Sequence, residues 1–289
     1  MSSKRLLVLV FIVVLVNGVD YLGLGIHQHV LENVYIFAGL AFGEALVIWL
    51  AINRSRQRGW PLVISVFLIL YGMTSLLVGI EAVYLTDILT TRIALELFVN
   101  GAVSSFLVSF AAVWLVGSFL PPDDIRSARP QNRRLPGWIW RIPLCGFLYL
   151  LLYIFAGLLI AQPLATALEP QLAPAYFAAF TPDNPMLILG FQFLRGMLWT
   201  LLSIPLLRGL HGSRWSQALV LGLLFAVLMG LPILLPGELA AGIRIGHAVE
   251  VFVSNFLFGL IVTALLGGNS VQSAWLSEKS FMAGRLGDT

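Results

Sequence analysis

The segment "RIALELFVNG" places Arg92, Glu96 and Asn100 at steps of four, so a helix carrying them shows all three on one stripe. Later the chain repeats the idea in "RIGHAVEVFVSN", where His247, Glu250 and Ser254 share a face, flanked by Arg244 and Asn255. A carboxylate beside an amide or an imidazole can hold a cation or a polar head group. Two further ionic groups stand inside long apolar runs: Glu44 in "AFGEALVIW" and Arg195 in "FQFLRGMLW", the latter one turn from Gln192. A charge at the centre of a membrane span costs about 2.5–3.5 kcal/mol on insertion scales, so such groups face protein or a water-filled cavity.

Metal chemistry has a weaker signature. His27, His29 and Glu32 cluster in "HQHVLE", and His247 sits near Glu250; imidazoles and carboxylates are zinc ligands. The spacing matches no HExxH pattern, so no metal site is expected and ordinary interfacial histidines are the default. Only Lys4 and Lys279 are lysines, which leaves none within a span for a retinal Schiff base. Haem-binding histidine pairs, CxxC and a phosphate-binding P-loop are missing as well, so no cofactor is predicted. The single cysteine, Cys145, allows no disulfide within the chain.

The elements that must position these residues are membrane spans. The chain has 289 residues, 59% hydrophobic and 11% charged, and a mean hydropathy of +0.92. Soluble domains run nearer 25% charged. A crossing helix needs about 20 apolar residues, and eight stretches qualify: 6–24, 34–52, 61–81, 93–119, 141–161, 187–207, 216–235 and 245–267. The first follows "MSSKR" but lacks an A-x-A cleavage site, so it reads as a retained span. "GLAFG" at 39–43 offers a G-x-x-x-G step for close helix approach.

Basic residues orient the spans. With both termini cytoplasmic, the inner loops collect 14 of the 17 Lys and Arg residues, all but Arg92, Arg195 and Arg244. Tryptophans agree: Trp49, Trp60, Trp114, Trp138, Trp140, Trp215 and Trp275 fall near the inner interface. The expected location is an inner (plasma) membrane.

Two connections are long. Residues 120–140 form a Pro/Arg-rich cytoplasmic linker, and 162–186 an outer loop whose "PAYFAAF" could make a short interfacial helix or an ordered cap. The linker separates two similar halves, 1–119 and 141–267, leaving 268–289 as a cytoplasmic tail. "NRSRQRGWPL" echoes "HGSRWSQAL", "VGIEAV" echoes "LPGELA", and "RIALELFV" echoes "RIGHAVEVFV", in the same order. Even numbers of spans make the halves parallel, related by an axis along the membrane normal.

The expected fold is therefore an all-α polytopic bundle of about eight transmembrane helices, as two parallel four-helix repeats. Glu44 and Arg195 occupy corresponding spans and are expected to pair near the axis, with Gln192 as a further donor. Glu96, Asn100, His247, Glu250 and Asn255 would line an outward-opening polar vestibule; the plainer alternative is an interfacial ring of snorkelling arginines and neutralised glutamates. Three functions fit: a transporter-like binder of a small solute or lipid, an intramembrane enzyme using His247, Glu250 and Glu96, or a non-catalytic accessory subunit. Partners are the bilayer and a small solute or lipid, with no nucleic acid.

Overall fold

A computed structural model describes residues 3–23, 34–84, 91–116, 139–179, 185–236 and 239–267, and these are helical almost throughout. In hydrocarbon every backbone N–H and C=O must be satisfied internally, and a helix does so within one segment. The long helices are α1 (Ser3–Gly23), α2 (Val34–Asn53), α3 (Gly59–Tyr71) continued through a π-helical turn (Gly72–Leu76) into α4 (Leu77–Tyr84), and α5 (Thr91–Val116). The second half has α6 (Arg141–Ala156), continued by a π turn (Gly157–Ala161) into α7 (Gln162–Leu168), then α8 (Ala173–Ala179), α9 (Pro185–Gly209), α10 (Arg214–Gly230) and α11 (Ala241–Leu266).

Among the described residues seven helical stretches are long and apolar enough to cross a membrane: Val34–Asn53, Gly59–Glu81, Leu95–Val116, Arg141–Leu168, Pro185–Gly209, Arg214–Leu234 and Ala241–Leu266. The first expected span appears as α1, a 21-residue helix outside those seven. The fifth runs beyond its expected end at 161, because the π turn absorbs the irregularity and helix resumes to Leu168. The seventh stops as α-helix at Gly230; Pro232, which cannot donate a backbone hydrogen bond, opens a 3-10 turn instead.

Within each half, α1 packs on α2 and α5, and α3 on α5; correspondingly α6 packs on α9 and α11, and α10 on α11. Between halves, α2 packs on α10 and α9 on α3. The loops 54–58 and 209–213 meet in an antiparallel bridge between Ser55 and Leu210. Arg56 N–H donates to Gly209 C=O at 2.7 Å and His211 N–H to Arg54 C=O at 2.8 Å. A glycine at positive φ follows the first loop and another lies within the second, Gly59 at 58° and Gly212 at 103°, where a side chain would be strained. This face is called the near end below, and the opposite face the far end.

One apolar core runs through both halves, from Leu9 and Val13 to Phe258 and Leu266, with Ile48, Leu62, Met73, Trp199 and Phe225 fully buried in it. The perimeter is apolar as well, with Phe11, Phe42, Ile64, Phe106, Phe155, Leu159 and Leu194 exposed. An apolar surface of this extent suits acyl chains, not water. The "PAYFAAF" segment does form a short helix, α8, whose Tyr176 and Phe177 pack on a small cluster of Ala165, Ala173 and Ile243.

The G-x-x-x-G step works differently from the sequence expectation. A Cβ at Gly39 would meet nothing within 4 Å, and one at Gly43 would sit 2.6 Å from the end of the Leu231 side chain and 3.7 Å from Val227. Close backbone approach occurs elsewhere: a Cβ at Gly259 would sit 2.5 Å from Gly222 Cα, and one at Gly196 3.0 Å from Gly146 Cα. Those pairs hold α10 against α11 and α6 against α9.

Candidate functional site

Glu44 and Arg195 do not pair. Because the seam joins α2 to α10 and α9 to α3, the two helices carrying these charges find different neighbours. Asn17 Nδ2 of α1 donates to Glu44 Oε2 at 2.8 Å. Arg195 instead reaches across to α4, where its Nη2 donates to Glu81 Oε2 in an ion pair. Gln192 closes the triangle, accepting from Arg195 Nη1 at 3.2 Å and donating to Glu81 Oε1 at 3.0 Å. Gln192 is fully buried and Arg195 is 5% exposed. Phe191 and Trp199 offer ring faces to the guanidinium, with centroids at 4.9 and 5.3 Å, a favourable arrangement for a desolvated cation.

The π turn takes part in this centre. A π turn interrupts the regular i→i−4 ladder and is a recurrent feature of functional sites. Gly72 C=O at its start accepts from Trp199 Nε1 at 3.4 Å, and Leu77 C=O just past it accepts from Arg195 Nη2 at 3.5 Å. Nothing in "VGIEAV" marks Glu81 as the partner of Arg195; that role depends on where the π turn and α9 place the two side chains.

Glu44 belongs to a second centre, a cavity of about 140 Å³ bounded by α1, α2, α3, the first π turn, α5 and α10. Its polar lining is Asn17, Glu44, Thr74, Ser75, Ser104 and Ser105; Phe37, Leu70, Val108, Val227, Leu231 and Pro232 supply apolar walls. It extends from mid-span at Glu44 and Ser105 toward the far end at Leu97 and Leu235. Thr74 Oγ1 donates to Leu70 C=O at 2.8 Å and lies 3.4 Å from Ser75 Oγ, which leaves hydroxyl lone pairs as acceptors toward the cavity. The lining contains one carboxylate and no Lys, Arg or His. The adjacent pairs Thr74–Ser75 and Ser104–Ser105, both inside apolar runs, are the sequence signal for this lining.

The expected duplicated vestibule separates into other contacts. Arg92 Nε pairs with Glu96 Oε1 at 3.1 Å, with the two side chains 88% and 44% exposed. Asn100 is half-buried, and neither it nor Glu96 lines the cavity. On α11, His247 Nδ1 and Glu250 Oε2 are 2.9 Å apart; the carboxylate is buried and the imidazole is not. Asn255 Nδ2 donates to Val251 C=O at 2.8 Å, and its Oδ1 is a buried atom with no partner among the described residues. Arg244 donates to Leu239 C=O at 3.3 Å near the start of α11. His27, His29 and Glu32 lie outside the described residues, and among those described no group of three His, Cys, Asp or Glu side chains could hold a metal.

Searches against protein-family models, curated proteins and solved structures find no match to this chain.

Proposed function

We propose that this multi-pass membrane protein is a transporter-like binder of a small cationic solute, which it takes into the Glu44 cavity. The observation that carries the reading is a mid-span cavity with one carboxylate, four hydroxyl side chains and an amide, and no basic group. Intramembrane carboxylates mark ion and substrate paths when they face a cavity. An engineered apolar cavity of about 150 Å³ admits benzene, so a space of about 140 Å³ suits a solute of about six heavy atoms. The hydroxyls and the Asn17 amide oxygen accept hydrogen bonds from an ammonium group while Glu44 balances its charge. Phe37 and the leucines would receive its carbon atoms.

The architecture proposed with this function is two parallel four-helix repeats in an inner (plasma) membrane, both termini cytoplasmic. The matched packing inside each half, the reciprocal α2–α10 and α9–α3 seams, and the bridge between the loops 54–58 and 209–213 support it. An antiparallel pair of equivalent segments has its two-fold axis perpendicular to the ribbon, the axis that parallel repeats require.

Thermal unfolding of the protein in lipid nanodiscs tests the ligand class. Methylammonium and ethanolamine should raise the midpoint with saturating concentration dependence, while glycerol and acetate should not, and Glu44→Gln should abolish the response. A ligand present at 100 times its Kd stabilises by about 2.7 kcal/mol, well within detection. Stabilisation by acetate in preference to the amines, or an amine response intact in Glu44→Gln, would refute the proposal. Equal silence to all solutes, with the cavity still formed, would favour the accessory-subunit alternative.

A further inference from the structure

The near end carries a second charged feature that the cavity does not use. Residues 54–58 and 208–214 contain Arg54, Arg56, Arg58, Arg208, His211 and Arg214, and no acidic residue. The Ser55–Leu210 bridge fixes these two stretches side by side. Gln57 locks them further, donating through Nε2 to Pro205 C=O at 2.7 Å and accepting from Ser65 Oγ at 2.8 Å. The five arginines are exposed.

The arginines at this end divide by task. Arg141 Nη1 donates to Leu265 C=O at 2.7 Å, and Arg214 Nη2 lies 3.4 Å from both Ala264 and Gly267 C=O. These two satisfy carbonyls at the C-terminus of α11, where a cation is favoured. Arg54, Arg56 and Arg58 all bring positive charge to bear on His211; the Arg54 guanidinium lies against Gly212, and Arg58 Nη1 reaches Ser55 C=O at 3.5 Å. The imidazole Nδ1 is buried with no partner among the described residues.

Two tryptophans set the depth of the patch. Trp60 and Trp215 stand in the first turns of α3 and α10, 54% and 74% exposed, immediately beside the two loops. Indoles of this kind sit at the level of lipid head groups. Lipid phosphates are the negative groups that a bilayer supplies at that level, and Arg forks match phosphate oxygens.

We propose that the bridged loops form a binding site for the head group of an anionic phospholipid, with Arg54, Arg56 and Arg58 contacting its phosphate. The site is independent of the solute cavity and lies at the opposite end of the spans. A phosphate held there adds negative charge beside His211, opposing the field of the three arginines.

Native mass spectrometry of the full-length protein from nanodiscs of phosphatidylcholine with added phosphatidylglycerol tests this. The unaltered protein should retain phosphatidylglycerol over phosphatidylcholine, and the combined Arg54→Gln, Arg56→Gln, Arg58→Gln variant should weaken that retention on the order of 100-fold, at about a factor of five per basic residue. Arg92→Gln, at an exposed arginine of the far end, should leave it unchanged. In the unaltered protein, the imidazole NMR titration of His211 should move to higher pH when phosphatidylglycerol replaces phosphatidylcholine. That second readout stands even where the triple variant fails to fold. Unchanged retention in the triple variant, equal loss in Arg92→Gln, or a His211 titration indifferent to lipid charge overturns the proposal. So does inorganic phosphate displacing phosphatidylglycerol completely, which would make this a site for soluble anions.

Discussion

Arg195 shows how much one buried cation demands of its surroundings. Its charge is matched by Glu81, Gln192 and Leu77 C=O accept further bonds from its Nη atoms, and two ring faces cover it, while its Nε is buried with no hydrogen-bond partner among the described residues. Removing one partner of a buried pair typically costs about 3–5 kcal/mol because the other charge is stranded. Glu81→Gln and Arg195→Gln should each lower stability by that order in denaturant titrations, and the double variant should lose far less than their sum. Arg195→Gln combined with Glu44→Gln should be close to additive, since those residues have separate partners; strong coupling there would reinstate the pairing that the structure rejects. At the exposed end of the scale, Glu96→Gln should change stability by only about 0.3–0.5 kcal/mol, the usual value of an i,i+4 helix pair. His211 lies outside the spans, and its pKa is lowered from the ordinary 6.5 by burial and by Arg56, Arg54 and Arg58. The unfolded chain then takes up a proton first as the pH falls, so folded-state stability should decline from pH 6.5 downward. In His211→Gln that acid-side decline should be smaller in thermal unfolding between pH 5 and pH 8, a range about the ordinary histidine value.

Helices in this bundle meet at glycines, and the glycines are not equivalent. At Gly259 the nearest atoms are backbone atoms of Gly222 and Leu221, which cannot swing aside. Gly259→Ala should therefore separate α10 from α11, lowering the unfolding midpoint and cooperativity in nanodiscs. Gly157→Ala, at the start of the second π turn, meets nothing within 4 Å and should be tolerated. If both substitutions behave alike, the close α10–α11 crossing is not what holds the second half together. The two π turns also explain why element boundaries were only partly legible. Hydropathy locates a span, but "LYGMTSLLVG" reads as continuous helix with nothing local to announce a shifted hydrogen-bond register, and in "FAGLLIAQPL" only Pro163, which has no backbone N–H to donate, marks the disturbance.

For the whole molecule, the sharpest prediction concerns the bridge between halves. Ser55 and Leu210 oppose each other between the two backbone hydrogen bonds of the bridge, a position whose Cα atoms usually lie about 4.5 Å apart. That separation lies within the range a disulfide can span. Ser55→Cys with Leu210→Cys should cross-link under mild oxidation, and peptide mass spectrometry should recover one bridged pair and no Cys145 adduct. Absence of the cross-link in folded protein would mean that the halves join differently. The echo of "NRSRQRGWPL" in "HGSRWSQAL" pointed to equivalent loops, but no property of either segment says that they touch.

Composition and hydropathy determined that this chain is a bundle of long apolar helices, roughly where each begins, and that its few intramembrane polar groups must find partners. The physical reason is local: a backbone leaving water has to satisfy its own hydrogen bonds, and each segment solves that alone. Partner choice is not local. Glu44 meets Asn17 and a cavity, Arg195 meets Glu81, and Glu96 stays at the surface. Only the tertiary structure decided these, because they depend on which helices share the seam and how a π turn rotates the residues beyond it. The seam itself follows from packing summed over many weak contacts, with glycines as the points of closest approach.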